Sequence, residues 1–157
     1  MRMATRDRSS AEAIRQAALC LQRGEWLNAE GICRYVLEAS PGDAEAPEFL
    51  AEACFAQGRL AEALSAYEQA LQSKPRNAGT LYNRGVVLDR LGRHADAVAS
   101  FDDALALQPR DVVALVSRGN ALHALQRFAE ALGSFDRALA IAPVSYTHLT
   151  LPTIYSV

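Results

Sequence analysis

The residues best suited to acid–base or metal chemistry near neutral pH are three histidines, His94, His123 and His148. No second His, Cys or carboxylate stands at ligand spacing on the helix predicted around His123, so that residue is read as a polar contact. His94 falls in a predicted turn, and His148 lies in a tail that departs from the pattern of the rest. Cys20, Cys33 and Cys54 also lack ligand spacing. They occupy apolar positions and are expected to pack as small hydrophobes. Asp102 and Asp103 are expected on a solvated helix face. No Ser/His/Asp set, phosphate-cradling glycine loop or Cys/His pair can be assembled. The sequence therefore predicts no catalytic residue, no cofactor and no metal for this chain.

The bulk properties narrow the partners. A net charge of -2 carries no nucleic-acid footprint. No apolar run is long enough to span a bilayer. The opening residues are basic, but no apolar segment follows them as a secretory signal would require. With an odd number of cysteines and no export signal, the expected setting is reducing and cytoplasmic.

The elements that position these side chains follow a repeat of 34 residues. Four units run without gaps over 10–43, 44–77, 78–111 and 112–145, after a lead-in at 1–9 expected to be disordered. Ser9 or Ser10 is the expected cap of the first helix. The eighth place of each unit is small (Ala17, Ala51, Gly85, Gly119) and the twentieth is Ala (Ala29, Ala63, Ala97, Ala131). The twenty-fourth is Cys33, Tyr67, Phe101 and Phe135; the thirty-second is Pro41, Pro75, Pro109 and Pro143. Two helices approach closely only where side chains are small, so the eighth and twentieth places are expected to face each other. Pro cannot continue a helix interior and marks each exit. Gly24, Gly58 and Gly92 fall at the turn between paired helices, where a residue without a side chain takes positive φ. The fourth unit has Gln126 there, which predicts a less regular turn. Pro47, early in the second unit, predicts a late-starting or distorted helix.

Period, small places, aromatic place and terminal Pro together resemble the tetratricopeptide repeat, a helix–turn–helix unit. The resemblance covers 10–145. It implies an all-α fold, a right-handed superhelix (α-solenoid) of four helical hairpins, with the first helix of each pair lining a concave groove. Residues 146–157 do not continue the repeat. Val144-Ser145-Tyr146-Thr147-His148-Leu149 resembles a translated sequencing adapter, so the tail is read as foreign to the array; the competing reading is a native strand-like tail on the last helix.

Function is expected in the groove that the resemblance implies. Its inward places are Glu45, Glu48, Phe49, Glu52 and Phe55 in the second unit, then Tyr82, Asn83, Val86, Asp89 and Arg90, then Val116, Ser117, Asn120 and His123. The lining is acidic at one end and amide-bearing beyond. Asn side chains can bond a peptide backbone as donor and acceptor together, and Phe55 and Tyr82 are expected to hold apolar anchors. The partner implied is an extended protein segment carrying basic residues. The groups by which some family members hold a terminal carboxylate are absent, since Ile14 and Ala18 occupy the relevant turn. Two competing readings remain. In one, the chain is the repeat portion of a larger bacterial enzyme, a glycosyltransferase of the O-linked N-acetylglucosamine type or a sulfotransferase, which Arg118-Gly119-Asn120-Ala121-Leu122 and the ending around Ser134–Pro143 resemble. In the other, the array self-associates through an uncapped last helix exposing Leu132, Leu139 and Ile141.

Overall fold

The structure, a computed structural model, describes residues 8–142. Those residues form eight α-helices and no strand: α1 (Arg8–Gln22), α2 (Trp26–Ala39), α3 (Ala46–Ala56), α4 (Leu60–Ser73), α5 (Ala78–Arg90), α6 (His94–Leu107), α7 (Val112–Ala124) and α8 (Phe128–Ile141). They divide into two compact units between Thr80 and Leu81. In the first, α1 packs on α2, α2 on α3 and α3 on α4; in the second, α6 packs on α7 and α7 on α8. The adapter-like tail and Pro143 lie outside the described residues.

The turn chemistry explains why the helices come in pairs. Gly24, Gly58 and Gly92 adopt φ of 76°, 76° and 78°. At each, the glycine N–H bonds back to the residue three before it, and the next N–H bonds to the residue five before it, as in Gly92 to Asp89 at 3.0 Å and Arg93 to Leu88 at 2.9 Å. This pairing satisfies two carbonyls at the helix end. The expectation of an irregular fourth turn is corrected: Gln126 takes φ 60° and makes the same two bonds, from its own N–H to His123 and from Arg127 to Leu122, both 2.9 Å. The turn is held by the hydrogen bonds, and Gln126 bears the left-handed strain that glycine avoids.

Proline closes α2, α4 and α6. Ser40, Lys74 and Gln108, each followed by Pro, have ψ near 80° (80°, 76° and 80°) and have left the helix, because the proline ring excludes helical geometry from the residue before it. Two residues after each of these prolines stands an acceptor that starts the next helix. Asp43 Oδ1 accepts from the backbone N–H of Ala46 at 2.9 Å, Asn77 Oδ1 from Thr80 at 3.1 Å and Asp111 Oδ1 from Ala114 at 3.1 Å. Such caps satisfy orphan N–H groups of the first turn. The first helix is an exception: Arg8 and Ser9 are already helical and Ser10 is buried, so neither serine is the cap and the lead-in ends sooner than expected. Pro47 acts as foreseen. It stands in the first turn of α3, where its missing N–H costs nothing, and α3 has 11 residues against 13 in α5 and α7.

The glycines at the small places lie against the large twenty-fourth-place side chain of the same hairpin. The nearest atoms to Gly85 are those of the Phe101 ring: an added Cβ would lie 2.6 Å from Cε1. The same holds for Gly119 and Phe135, at 2.5 Å. The eighth-place glycine is thus closed by the twenty-fourth-place aromatic. Of the twentieth-place alanines, Ala29 clusters both with Cys20 of its own hairpin and with Ala53 of α3.

Candidate functional site

One face of the second hairpin and one face of the second unit carry the side chains singled out from the sequence. On α3, Glu48, Phe49, Glu52 and Phe55 follow a helical spacing of three and four, with Glu45 at the N-cap, and all five are half-buried. Phe49 is drawn onto the apolar cluster of Ile14, Val36 and Ala46, which leaves its carboxylate neighbours at the edge of that cluster. Burial raises the Glu52 carboxyl above the usual range, and the Glu48 charge raises it further. The Tyr67 hydroxyl beneath responds to the same surroundings: burial pushes it up, with Glu52 and Glu48 adding to the effect. Among the described residues no ion pair joins a cation to Glu48 or Glu52.

Other described carboxylates outside any ion pair, such as Glu38, Glu68 and Asp136, are exposed, whereas Glu48 and Glu52 are half-buried. Glu30 accepts bonds from Arg59, Arg34 and Gln57, and the Arg59 guanidinium, foremost among these, holds its carboxyl down at about 2. Glu62 accepts from Arg34 and Arg59. Asp96 pairs with Arg93, and Glu130 with Arg127. The pair expected to be merely solvated is also engaged: Asp102 accepts from Arg118 at 2.5 Å, and Asp103 lies 3.7 Å from Arg84. These two arginines also donate to serine hydroxyls, Arg84 to Ser100 at 2.9 Å and Arg118 to Ser134 at 2.7 Å.

In the compact unit from Leu81 onward, α5 presents Tyr82, Asn83, Val86, Asp89 and Arg90, and α7 presents Val116, Ser117, Asn120 and His123. Several are committed internally. The Tyr82 ring lies 5.7 Å from that of Phe101, and its oxygen is 3.2 Å from the Ser117 hydroxyl, which ties α5 to α7. Tyr82 and Val116 both pack on the cluster of Leu105, Ala114, Leu115 and Ala138. Tyr82 is therefore part of the wall. Asp89 Oδ1 lies 2.7 Å from His94 Nδ1, and His94 opens α6 instead of lying in the turn. Asn120 and His123 remain exposed, with the His123 ring edge-on to Phe128 at 5.2 Å.

A group with metal-ligand atoms does exist, outside the predicted face. Ligand atoms of Glu30, Cys54 and Glu62 lie within 4.8 Å of one another. Two guanidinium groups already occupy the positions from which a cation would be bound. Burial raises the Cys54 thiol, keeping it protonated near neutral pH. The cluster is an ion-pair network joining α2 to α4. Cys33 is likewise buried, its thiol pushed up to about 12 chiefly by desolvation, and packs as a small hydrophobe.

Residues 82–146 match the family model described as "Tetratricopeptide repeat", and residues 51–92 match one described as "TPR repeat". Among solved structures, one titled "Crystal structure of MamA" is 21% identical, covers 88% of this chain and 81% of its own, and superposes with a TM-score of 0.82. "MamA 41-end from Desulfovibrio magneticus RS-1" is 18% identical, covers 88% and 78%, and gives a TM-score of 0.83. At these identities the likeness is one of fold. No curated protein matches the sequence. No helix among the described residues is long and apolar enough to cross a membrane.

Proposed function

The chain belongs to the tetratricopeptide-repeat family and is an interaction scaffold in that family's general sense, and we propose that it captures an extended protein segment by a basic residue seated on α3. The observation that carries this reading is the Glu48–Glu52 pair. Two carboxylates one turn apart on one helix face repel each other. Among the described residues they stand half-buried outside any ion pair, whereas the half-buried Glu30 is held by arginines. A lysine or arginine side chain from a ligand would relieve that repulsion and replace the water lost on burial. Phe55 lies one turn beyond Glu52, so an apolar ligand residue next to the cation has a surface to cover. Taken by itself, the compact unit from Leu81 onward carries Asn83 and Asn120, whose amides suit a peptide backbone.

Binding should be tested by titration calorimetry with a short extended peptide carrying one arginine beside an apolar residue, and with the same peptide carrying glutamate instead. Glu48→Lys with Glu52→Lys should reduce affinity for the arginine peptide at least about tenfold, a change of ~1.4 kcal/mol. Because a bound cation favours the ionised form of Glu52, binding should also release protons near the raised carboxyl range and strengthen as pH rises through it. Undiminished affinity in the charge-reversed variant would place the ligand elsewhere.

A further inference from the structure

A cleft of about 570 Å³ opens between α1 and α2, lined by Glu12, Ala13 and Gln16 on one side and Gly31, Ile32 and Tyr35 on the other. The same chain shows what such a cleft accepts. In the fourth unit the third, fourth and seventh places are Ala114, Leu115 and Arg118. Leu105 of α6 packs on Ala114 and Leu115, and Asp102 of α6 accepts from Arg118 at 2.5 Å. In the first unit those three places are Glu12, Ala13 and Gln16, and they border the open cleft. The cleft is therefore the counterpart of the surface on which one hairpin's second helix meets the next hairpin.

The complementary surface also exists. The twenty-first and twenty-eighth places of the second helices are Leu64 and Leu71 in α4, then Val98 and Leu105 in α6, and all four are buried. In α8 the same places are Leu132 and Leu139, which are 59% and 38% exposed. Ile141, expected beside them, packs instead on the cluster around Leu115. Asp136 stands where Asp102 stands in α6, and it is exposed. We infer that a second copy of this chain seats its α8, through Leu132 and Leu139, in the α1–α2 cleft, with Asp136 accepting from Gln16. The occupant is argued from the interface between α6 and α7: α8 carries apolar residues at the places where α6 buries them, Ala13 stands at the place of Leu115, Glu12 replaces Ala114 at the rim where Arg15 pairs with it, and an acceptor lies opposite a donor. The contact joins two different surfaces, so each dimer keeps one free surface of each kind and growth depends on concentration. This inference is independent of the groove reading, since it uses neither Glu48 nor Glu52.

Sedimentation velocity of the full chain over a hundredfold concentration range tests it. Gly31→Arg fills the cleft at a helical position where an added Cβ meets nothing within 4 Å, so folding should be retained. Leu132→Lys with Leu139→Lys removes the apolar stripe at exposed positions. The parent should associate, each variant alone should sediment as a monomer with unchanged helical circular dichroism, and an equimolar mixture of the two should form a dimer and nothing larger. A parent that stays monomeric throughout overturns the inference. So does a Gly31→Arg variant that still associates, which would indicate pairing of two α8 stripes, or a mixture that stays monomeric.

Discussion

Gly85→Ala is a sharp test of how the hairpins close. In an exposed helix interior such a change is favourable by about 0.8–1.0 kcal/mol, because alanine has less backbone freedom to lose. Here the new Cβ would lie 2.6, 2.7 and 3.1 Å from three atoms of the Phe101 ring. Carbon atoms sit comfortably at about 3.5–4.0 Å, so the ring must retreat by roughly 1 Å. Phe101 is 1% exposed and has little space behind it. Overpacking of this kind costs about 1–3 kcal/mol. The net effect should be a loss of about 0–2 kcal/mol. Gly133→Ala supplies the control: it lies within α8, an added Cβ meets nothing within 4 Å, and the full gain of about 1 kcal/mol should appear. Gly119→Ala should fall between them, since Phe135 is only half-buried and its ring can move outward. Urea denaturation midpoints measure all three, read at constant slope. If Gly85→Ala stabilises as much as Gly133→Ala, the ring does not close on the glycine and the packing described for the eighth place is wrong.

Two further outcomes follow from the turns and charges. Gln126→Gly should stabilise the chain by about 0.5–1 kcal/mol, because glycine takes positive φ without the side-chain strain of about 1–2 kcal/mol but loses more freedom on folding; an unchanged melting temperature would contradict this. The pH dependence should have two parts of opposite sign. Glu30 is held at about 2 by Arg59, so the stability it contributes is present above its usual range near 4.5 and is lost as pH falls from there towards 2. Glu52 is raised by burial, so its contribution is present at low pH and is lost as pH rises from the usual carboxylate range through the raised one. Urea midpoints across pH 2–7 should show Glu30→Gln flattening the acid limb and Glu52→Gln flattening the other.

The hairpins were legible because their signals recur in phase and act locally. A proline ends a helix through its own ring, and a glycine turns the chain through its own φ. What escaped the reading was of two kinds. The caps at Asp43, Asn77 and Asp111 also recur at a single place, but they do so as Asp or Asn, and a search for identical residues passes over them. The Arg84–Ser100 and Arg118–Ser134 bonds join residues on different helices, and no period along one helix reveals them. The same limit shaped the candidate face. Helical spacing gathers Glu48, Glu52 and Phe55 onto one side of α3. It could not show that Tyr82 is held by Ser117, 35 residues away, or that Asp89 is engaged by His94 across the turn.

The capture of a basic segment is tested most directly by amide chemical-shift mapping of the full chain with the arginine peptide. The reading offered for α3 predicts the largest shifts at Glu48, Phe49, Glu52 and Phe55, with none when glutamate replaces arginine. Shifts confined to the second helices, or equal shifts with both peptides, would contradict it.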